Sequence, residues 1–237
     1  MSRAQCAVPD CTTCSTRDSS VFTELLPPDL AAVSANKGCR LYAKGELIFY
    51  ADTIPSGLYC IHRGNVKLYK VGRDGREQII RIAGEGDIVG YRALISGEKY
   101  SMFAMPMEDS QICHIPRHVF LGLLGTSGNL SARIIALLSQ ELRAAEERIV
   151  EMAQKPVRER LAEALLLLLE KHGTANDNST LGITITRSEL ANIAGTTAES
   201  VSRVLSKLKA EGVLAVRGRQ IGILDRHALT EAANLEN

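Results

Sequence analysis

Glu199, Ser202 and Arg203 stand within about one helical turn of each other in the stretch TITRSELANIAGTTAESVSRVLSKLKAEGVL, residues 184–214. A glutamate can accept from the amino group of cytosine, an arginine can fork onto O6 and N7 of guanine, and a serine can serve either, so the trio has the chemistry of a base-edge reader. Ala198 and Ser206 share their face, while Val201, Leu205 and Leu208 recur at steps of four and three and form the opposite, apolar face. A second set of reactive residues lies at the other end, where Cys6, Cys11 and Cys14 are spaced C-x4-C-x2-C. A C-x2-C pair lets two thiolates reach one iron or zinc ion, yet a complete site takes four ligands and only three are visible here. Redox-active thiols and plain buried packing suit the same residues. No nucleophile and base stand at an interpretable spacing and the five histidines are scattered, which speaks against an enzyme.

The elements that must position the trio are written in the same stretch. A first helix from about Arg187 turns Leu190, Ala191 and Ile193 inward, and Gly195 breaks it where a tight turn needs positive φ. Either Thr196 or Thr197 can cap the second helix, with Glu199 close to the positive end of its dipole. Taken alone, this also fits any small amphipathic helix pair, with Glu199 and Arg203 as a solvated ion pair. The residues just beyond the pair narrow the choice: Gly212 stops the helix, residues 213–216 read as a short strand, Arg217-Gly218-Arg219 as a tight basic turn and 220–224 as a returning strand. That is a winged helix-turn-helix. Arg217 and Arg219 at the wing tip, with Arg187, Lys207 and Lys209, give a local basic surface suited to the phosphates of double-stranded DNA, on a chain whose net charge is only +1.

With 237 residues, 45% of them hydrophobic and 23% charged, the chain can build two cores and is neither disordered nor fibrous. The longest apolar run, residues 164–169, is too short to cross a bilayer, and the first residues show no basic-then-apolar signal pattern. The expectation is a cytoplasmic protein without a membrane partner, in which six cysteines argue against a disulfide framework.

Along the chain, Phe22, Leu25, Leu26 and Leu30 suggest a short amphipathic helix punctuated by Pro27 and Pro28. From about residue 38 to 116, short alternating runs at 47–50, 57–61, 65–71, 78–83, 87–90 and 111–115 stand between glycine-bearing turns. Six such strands indicate a β-barrel or jelly roll. Cys39 and Cys60 have no partner at ligand spacing there and read as packing residues. A long helix spans about 130–154. In it Ile135, Leu138, Leu142, Ala145, Ile149 and Met152 step by three, four, three, four and three, the seam of a coiled coil. A single stripe can also pack on its own barrel, but a homodimer explains the regular heptad better. A helix over 157–171 supplies the core of the last domain.

Together these features resemble the Crp/Fnr superfamily of bacterial transcription regulators over about residues 20 to 230, most specifically in GDIVGY (86–91), YCIHRGNVKLYKVGRDGREQII (59–80) and the helix-turn-helix stretch (186–214). The resemblance implies an α+β fold: a Cys-containing segment over 1–20, a cyclic-nucleotide-binding-like β-barrel sensor over 21–127, a dimerisation helix over 128–155 and a winged helix-turn-helix DNA-binding domain over 156–237. The reader helix looks like the FNR branch, which carries glutamate with serine and arginine three and four residues on, and implies half-sites related to TTGAT. FNR has valine before the glutamate where this chain has Ala198. The DNA-binding set implied is Thr197, Ala198, Glu199, Ser202, Arg203, Arg187, Lys207, Arg217 and Arg219. Cyclic-nucleotide binders carry a Gly-Glu pair and an Arg-Ser or Arg-Thr facing the cyclic phosphate; here Gly90-Tyr91-Arg92-Ala93 and Tyr100-Ser101-Met102 stand instead, which argues against cyclic AMP.

Oxygen-sensing FNR proteins hold a [4Fe-4S] cluster on three N-terminal cysteines and one in the barrel. Cys113, in QICHIP, falls at the barrel position and Cys11 and Cys14 match an N-terminal pair, but Ser20, Val21 and Phe22 stand where the third is expected. Cys6 is the candidate substitute, so the cluster set implied is Cys6, Cys11, Cys14 and Cys113. FNR also has an aspartate on the dimer seam where this chain has Ala145, so the helices are expected to pair without a ligand. The loop over 72–77 lies where relatives touch RNA polymerase. The competing reading is an effector-binding module that acts on a protein partner and uses its C-terminal domain only for docking.

Overall fold

The computed structural model describes residues 9–175 and 179–234, and the chain divides into two compact units, Met1–Leu142 and Arg143–Asn237. The first contains α1 (Pro27–Asn36), β1 (Gly38–Tyr42), β2 (Gly57–Arg63), β3 (Val66–Val71), β4 (Glu77–Ala83), β5 (Ile88–Val89), α2 (Tyr91–Ser96), β6 (Phe103–Pro106), β7 (Ser110–Pro116) and α3 (Arg117–Thr126). The helix α4 (Gly128–Gln154) carries the boundary, and the second unit adds α5 (Val157–His172), α6 (Arg187–Ala194), α7 (Ala198–Ala210), β8 (Leu214–Arg217), β9 (Gln220–Ile223) and α8 (Arg226–Ala232). The class is α+β, as the resemblance implied.

In the first unit a four-stranded antiparallel sheet, β1-β7-β2-β5, faces a three-stranded one, β4-β3-β6. Strand alternation sorts the side chains. Tyr59 and Ile61 of β2 join Leu68, Ala104 and Ile112 between the sheets, while Leu58 and Ile115 point the other way, against Leu30 and Val33 of α1, Phe120 of α3 and Leu130 and Ile134 of α4. Arg81 pairs with Asp87 at 3.2 Å and with Glu141 of α4.

Two local expectations need correction, and two strands were not foreseen. The short helix expected around Phe22 to Leu30 starts only at Pro27: Pro27 and Pro28 open α1, because proline lacks the N–H that the first turn leaves unpaired anyway. The run at 47–50 contributes only an isolated bridge from Phe49 to Ala104, and β1 and β6 were not legible as strands. GCRLY and FAMP alternate too weakly; each is held extended by the neighbour it pairs with, β7 and β3 respectively.

The second unit is built on α5, whose Leu161, Ala162, Ala164, Leu165 and Leu168 are buried. Leu190 and Ile193 of α6 and Val201, Leu205 and Leu208 of α7 are buried in the same unit, which the β8–β9 hairpin completes. No single helix among the described residues is long and apolar enough to cross a membrane.

Candidate nucleic-acid interface and thiol cleft

Every step of the reader motif is visible in the backbone. Thr186 caps α6 in a reciprocal capping box with Glu189, and Gly195 ends it at φ 62°, a conformation that costs glycine little. Thr197, not Thr196, then caps α7 by accepting from the Ser200 N–H at 3.3 Å. With one face of α7 sealed, Thr197, Glu199, Ser202, Arg203, Ser206, Lys207 and Lys209 are left exposed and Ala198 half-exposed. Arg203 Nη2 donates to Ser200 Oγ at 3.1 Å, and Ser202 Oγ to the Ala198 carbonyl at 2.8 Å. These are contacts a base edge can replace.

The wing closes where Arg217 pairs with Gln220 across Gly218 and Arg219. Arg217 and Arg219 are exposed. Arg187 is less free: it is half-buried and its Nη2 donates to the Gly218 carbonyl at 3.0 Å, so it braces the wing against the start of α6.

Two arginines escaped the sequence reading. Arg160 of α5 donates through Nε to the Ala194 carbonyl at 2.9 Å and through Nη1 to the Lys155 carbonyl at 2.7 Å, with Gly195 and Met152 carbonyls at 3.4 Å. Arg148 of α4 donates to the Ile193 carbonyl. Both satisfy orphan carbonyls at the end of α6, where a cation also suits the helix dipole. Only the cation's affinity for a helix end was a local signal; which end it finds is a matter of tertiary packing. Arg160→Ala is expected to lower stability by about 1.5–3 kcal/mol, as for hydrogen bonds from a charged group, seen as a lower midpoint in urea unfolding.

On α4 the heptad stripe is uncovered. Ile135, Leu142 and Ile149 are 64%, 62% and 69% exposed, and Ala145 and Met152 are exposed too. Leu138 differs: it is half-buried against the apolar cluster of the first unit.

The cysteines are brought together by the sheet. Cys39 of β1 lies opposite Cys113 of β7, and Cys113 lies opposite Cys60 of β2, so three thiols form a row across neighbouring strands. Cys60 packs against the apolar cluster of the first unit, as expected, whereas Cys39 meets a partner, Cys113, that sequence spacing did not supply. Cys11, Cys14, Cys60 and Cys113 line one small cleft of about 30 Å³ with Lys37, His62 and the buried Ser20, partly open to solvent. Lys37 Nζ donates to Cys11 Sγ at 2.9 Å, and burial, which works against its charge, is outweighed by that bond and the charge of Cys11, so its amine lies above the usual lysine range. Cys14 Sγ is 3.3 Å from Thr16 Oγ1 and 3.4 Å from His62 Nδ1. Burial above all pushes the Cys60 thiol up to about 12. Cys113 donates to Cys39 Sγ at 3.1 Å, and that bond, followed by burial, raises its thiol as well.

As a donor set this is thiol-rich. Among the described residues no three His, Cys, Asp or Glu side chains are placed to hold a metal ion, and the sulfurs turn to different partners. Cys6 lies outside the described residues. Between the sheets aromatic rings pack together: Phe49 and Tyr100 stack with centroids 4.0 Å apart, Tyr59 lies beside Phe49, and Tyr100 Oη donates to the Gly57 carbonyl at 3.3 Å. Arg92 reaches Met102 Sδ at 3.8 Å.

Comparison with known proteins supplies the family. The cyclic nucleotide-binding domain matches residues 39–127 and the Crp-like helix-turn-helix domain residues 159–232. The chain is 33% identical to the fumarate and nitrate reduction regulatory protein of Vibrio cholerae, over 81% of this chain and 77% of that one. It is 32% identical to electron transport regulator A of Shewanella oneidensis, over 78% and 74% respectively. Among solved structures it is similar to FixK2 from Bradyrhizobium japonicum, with TM-score 0.75 and 28% identity, covering 83% of this chain and 96% of that one.

Proposed function

The chain belongs to the Crp/Fnr family of dimeric DNA-binding transcription regulators, which are not enzymes, and from that premise we propose that it reads a palindrome of TTGAT-like half-sites as a homodimer in the cytoplasm. The observation that carries this reading is α7, sealed on one face and presenting Glu199, Ser202 and Arg203 on the other. Arg203 forks onto guanine, Glu199 accepts from cytosine, and Ser202 serves a neighbouring base. Thr197 and Ala198 meet the outer end of the half-site. Lys207, Arg217 and Arg219 neutralise phosphate, and Arg187 fixes the wing that carries two of them. Ile135, Leu142, Ala145, Ile149 and Met152 form the seam between protomers, with Leu138 at its inner edge. The hairpin turn over 72–77 is the surface offered to RNA polymerase.

The signal, in this reading, is redox state sensed through cysteines of the first unit. The thiol cleft supports it, as do the names of the relatives, which concern electron transport and fumarate and nitrate reduction. The stacked aromatic interior and the lack of a cassette glutamate support a barrel that does not answer to cyclic AMP.

Binding to a TTGAT palindrome is expected to weaken linearly on a log–log plot against salt. Six to ten phosphate contacts per dimer correspond to a loss of roughly 10³- to 10⁵-fold between about 50 and 200 mM. Fluorescence anisotropy with a matched and a scrambled duplex checks both parts. Equal affinity for the scrambled duplex, or indifference to salt, points instead to the protein-docking module.

A further inference from the structure

We infer that Cys39 and Cys113 are a redox-responsive dithiol, oxidised to a disulfide across β1 and β7. The inference rests on the reading of the thiols as the sensing element, and it gives that element a chemistry and a pair of residues. Three observations carry it. The two cysteines are direct partners in an antiparallel ladder, where opposed Cα atoms stand about 4.5–5.5 Å apart, inside the span a disulfide bridges. Their sulfurs already touch, at 3.1 Å, whereas the neighbouring thiols turn elsewhere: Cys11 to Lys37 and Cys14 to His62. Burial is unequal, since Cys113 is 5% exposed while Cys39, on the edge strand β1, is only half-buried.

The steps balance with a hydroperoxide as oxidant. Cys39, whose sulfur accepts the Cys113 S–H, loses its proton and attacks the peroxide oxygen. The O–O bond breaks, Cys39 becomes a sulfenic acid, and the departing oxygen takes the proton as an alcohol or water. Cys113 sulfur then attacks Cys39 sulfur; the S–S bond forms, the S–O bond breaks, and hydroxide leaves as water with the Cys113 proton. Two thiols and one hydroperoxide give one disulfide, with water and the alcohol or a second water. Short-lived sensing bridges of this kind suit a reducing compartment, where a permanent framework does not. The bridge would also withdraw Cys113 from the cleft and pin the edge strand β1 to its neighbour.

The test uses the reduced full-length protein, treated with hydrogen peroxide, blocked with N-ethylmaleimide and digested for mass spectrometry. The expected product is one linked peptide pair containing Cys39 and Cys113, lighter than the two peptides by two hydrogens and restored by dithiothreitol. Cys39→Ser and Cys113→Ala should abolish it, and Cys60→Ser should leave it intact; circular dichroism melts confirm that each variant is folded. A bridge through Cys60, a bridge within the Cys11–Cys14 pair only, or oxidation to sulfinic acid with no bridge overturns the assignment. DNA affinity of the reduced protein is measured in parallel. A bridge without DNA binding sinks the regulator reading alone, and DNA binding without a bridge sinks the dithiol alone.

Discussion

Arg203→Ala is expected to weaken binding to a TTGAT duplex by about 1–3 kcal/mol, roughly 5- to 150-fold, while leaving affinity for random duplex nearly intact. The difference arises because a bidentate contact to guanine is lost in one case and at most a phosphate contact in the other. The substitution is clean: Arg203 is exposed, its hydrogen bond is to the exposed side of Ser200, and the buried residues of α7 are untouched. Arg203→Lys keeps the charge and loses the fork, so it should behave like alanine on the matched site and like wild type on random DNA. Anisotropy titrations of the three proteins on both duplexes decide the matter. A loss of equal size on random DNA would show that Arg203 touches phosphate only.

Leu142→Asp should dissociate the dimer. Leu142 is 62% exposed in the single chain, so its replacement removes nothing from either unit's core. Burying a leucine contributes about 1.5–3 kcal/mol, and the seam holds two copies, so the loss is about 3–6 kcal/mol before the cost of placing two carboxylates together is added. The dimer dissociation constant then rises by roughly 10² to 10⁴-fold or more. Sedimentation equilibrium measures it directly. Affinity for the full palindrome should fall with it toward that of one half-site. A variant that sediments as the same dimer would move the interface off α4.

The exposed stripe on α4 and the sealed face of α7 were legible because both arise from spacing within a few turns of one helix. The break at Gly195 and a threonine cap on α7 were legible for a related reason, whereas the equally local Thr186–Glu189 capping box went unread. Thr186 with Glu189, Gly195 and Thr197 act on backbone groups within three residues of themselves, and no distant part of the chain is needed to place them. Strands were harder. β2, β3, β4 and β7 alternate strongly and were found, whereas β1 and β6 are extended because of what they pair with. Pro27 and Pro28 were noticed as punctuation, but proline punctuates a helix at either end and only the backbone shows that here it opens one.

By itself, the sequence determined the helix-turn-helix with its buried and exposed faces and the stripe on the long helix, since both are written in short-range periodicity and backbone preference. Tertiary structure alone decided that Cys39, Cys60 and Cys113 stand in one row and that Arg148 and Arg160 hold the end of α6. Those neighbours come from strands and helices far apart in the chain, joined by ladder register and packing, and no local spacing encodes a register.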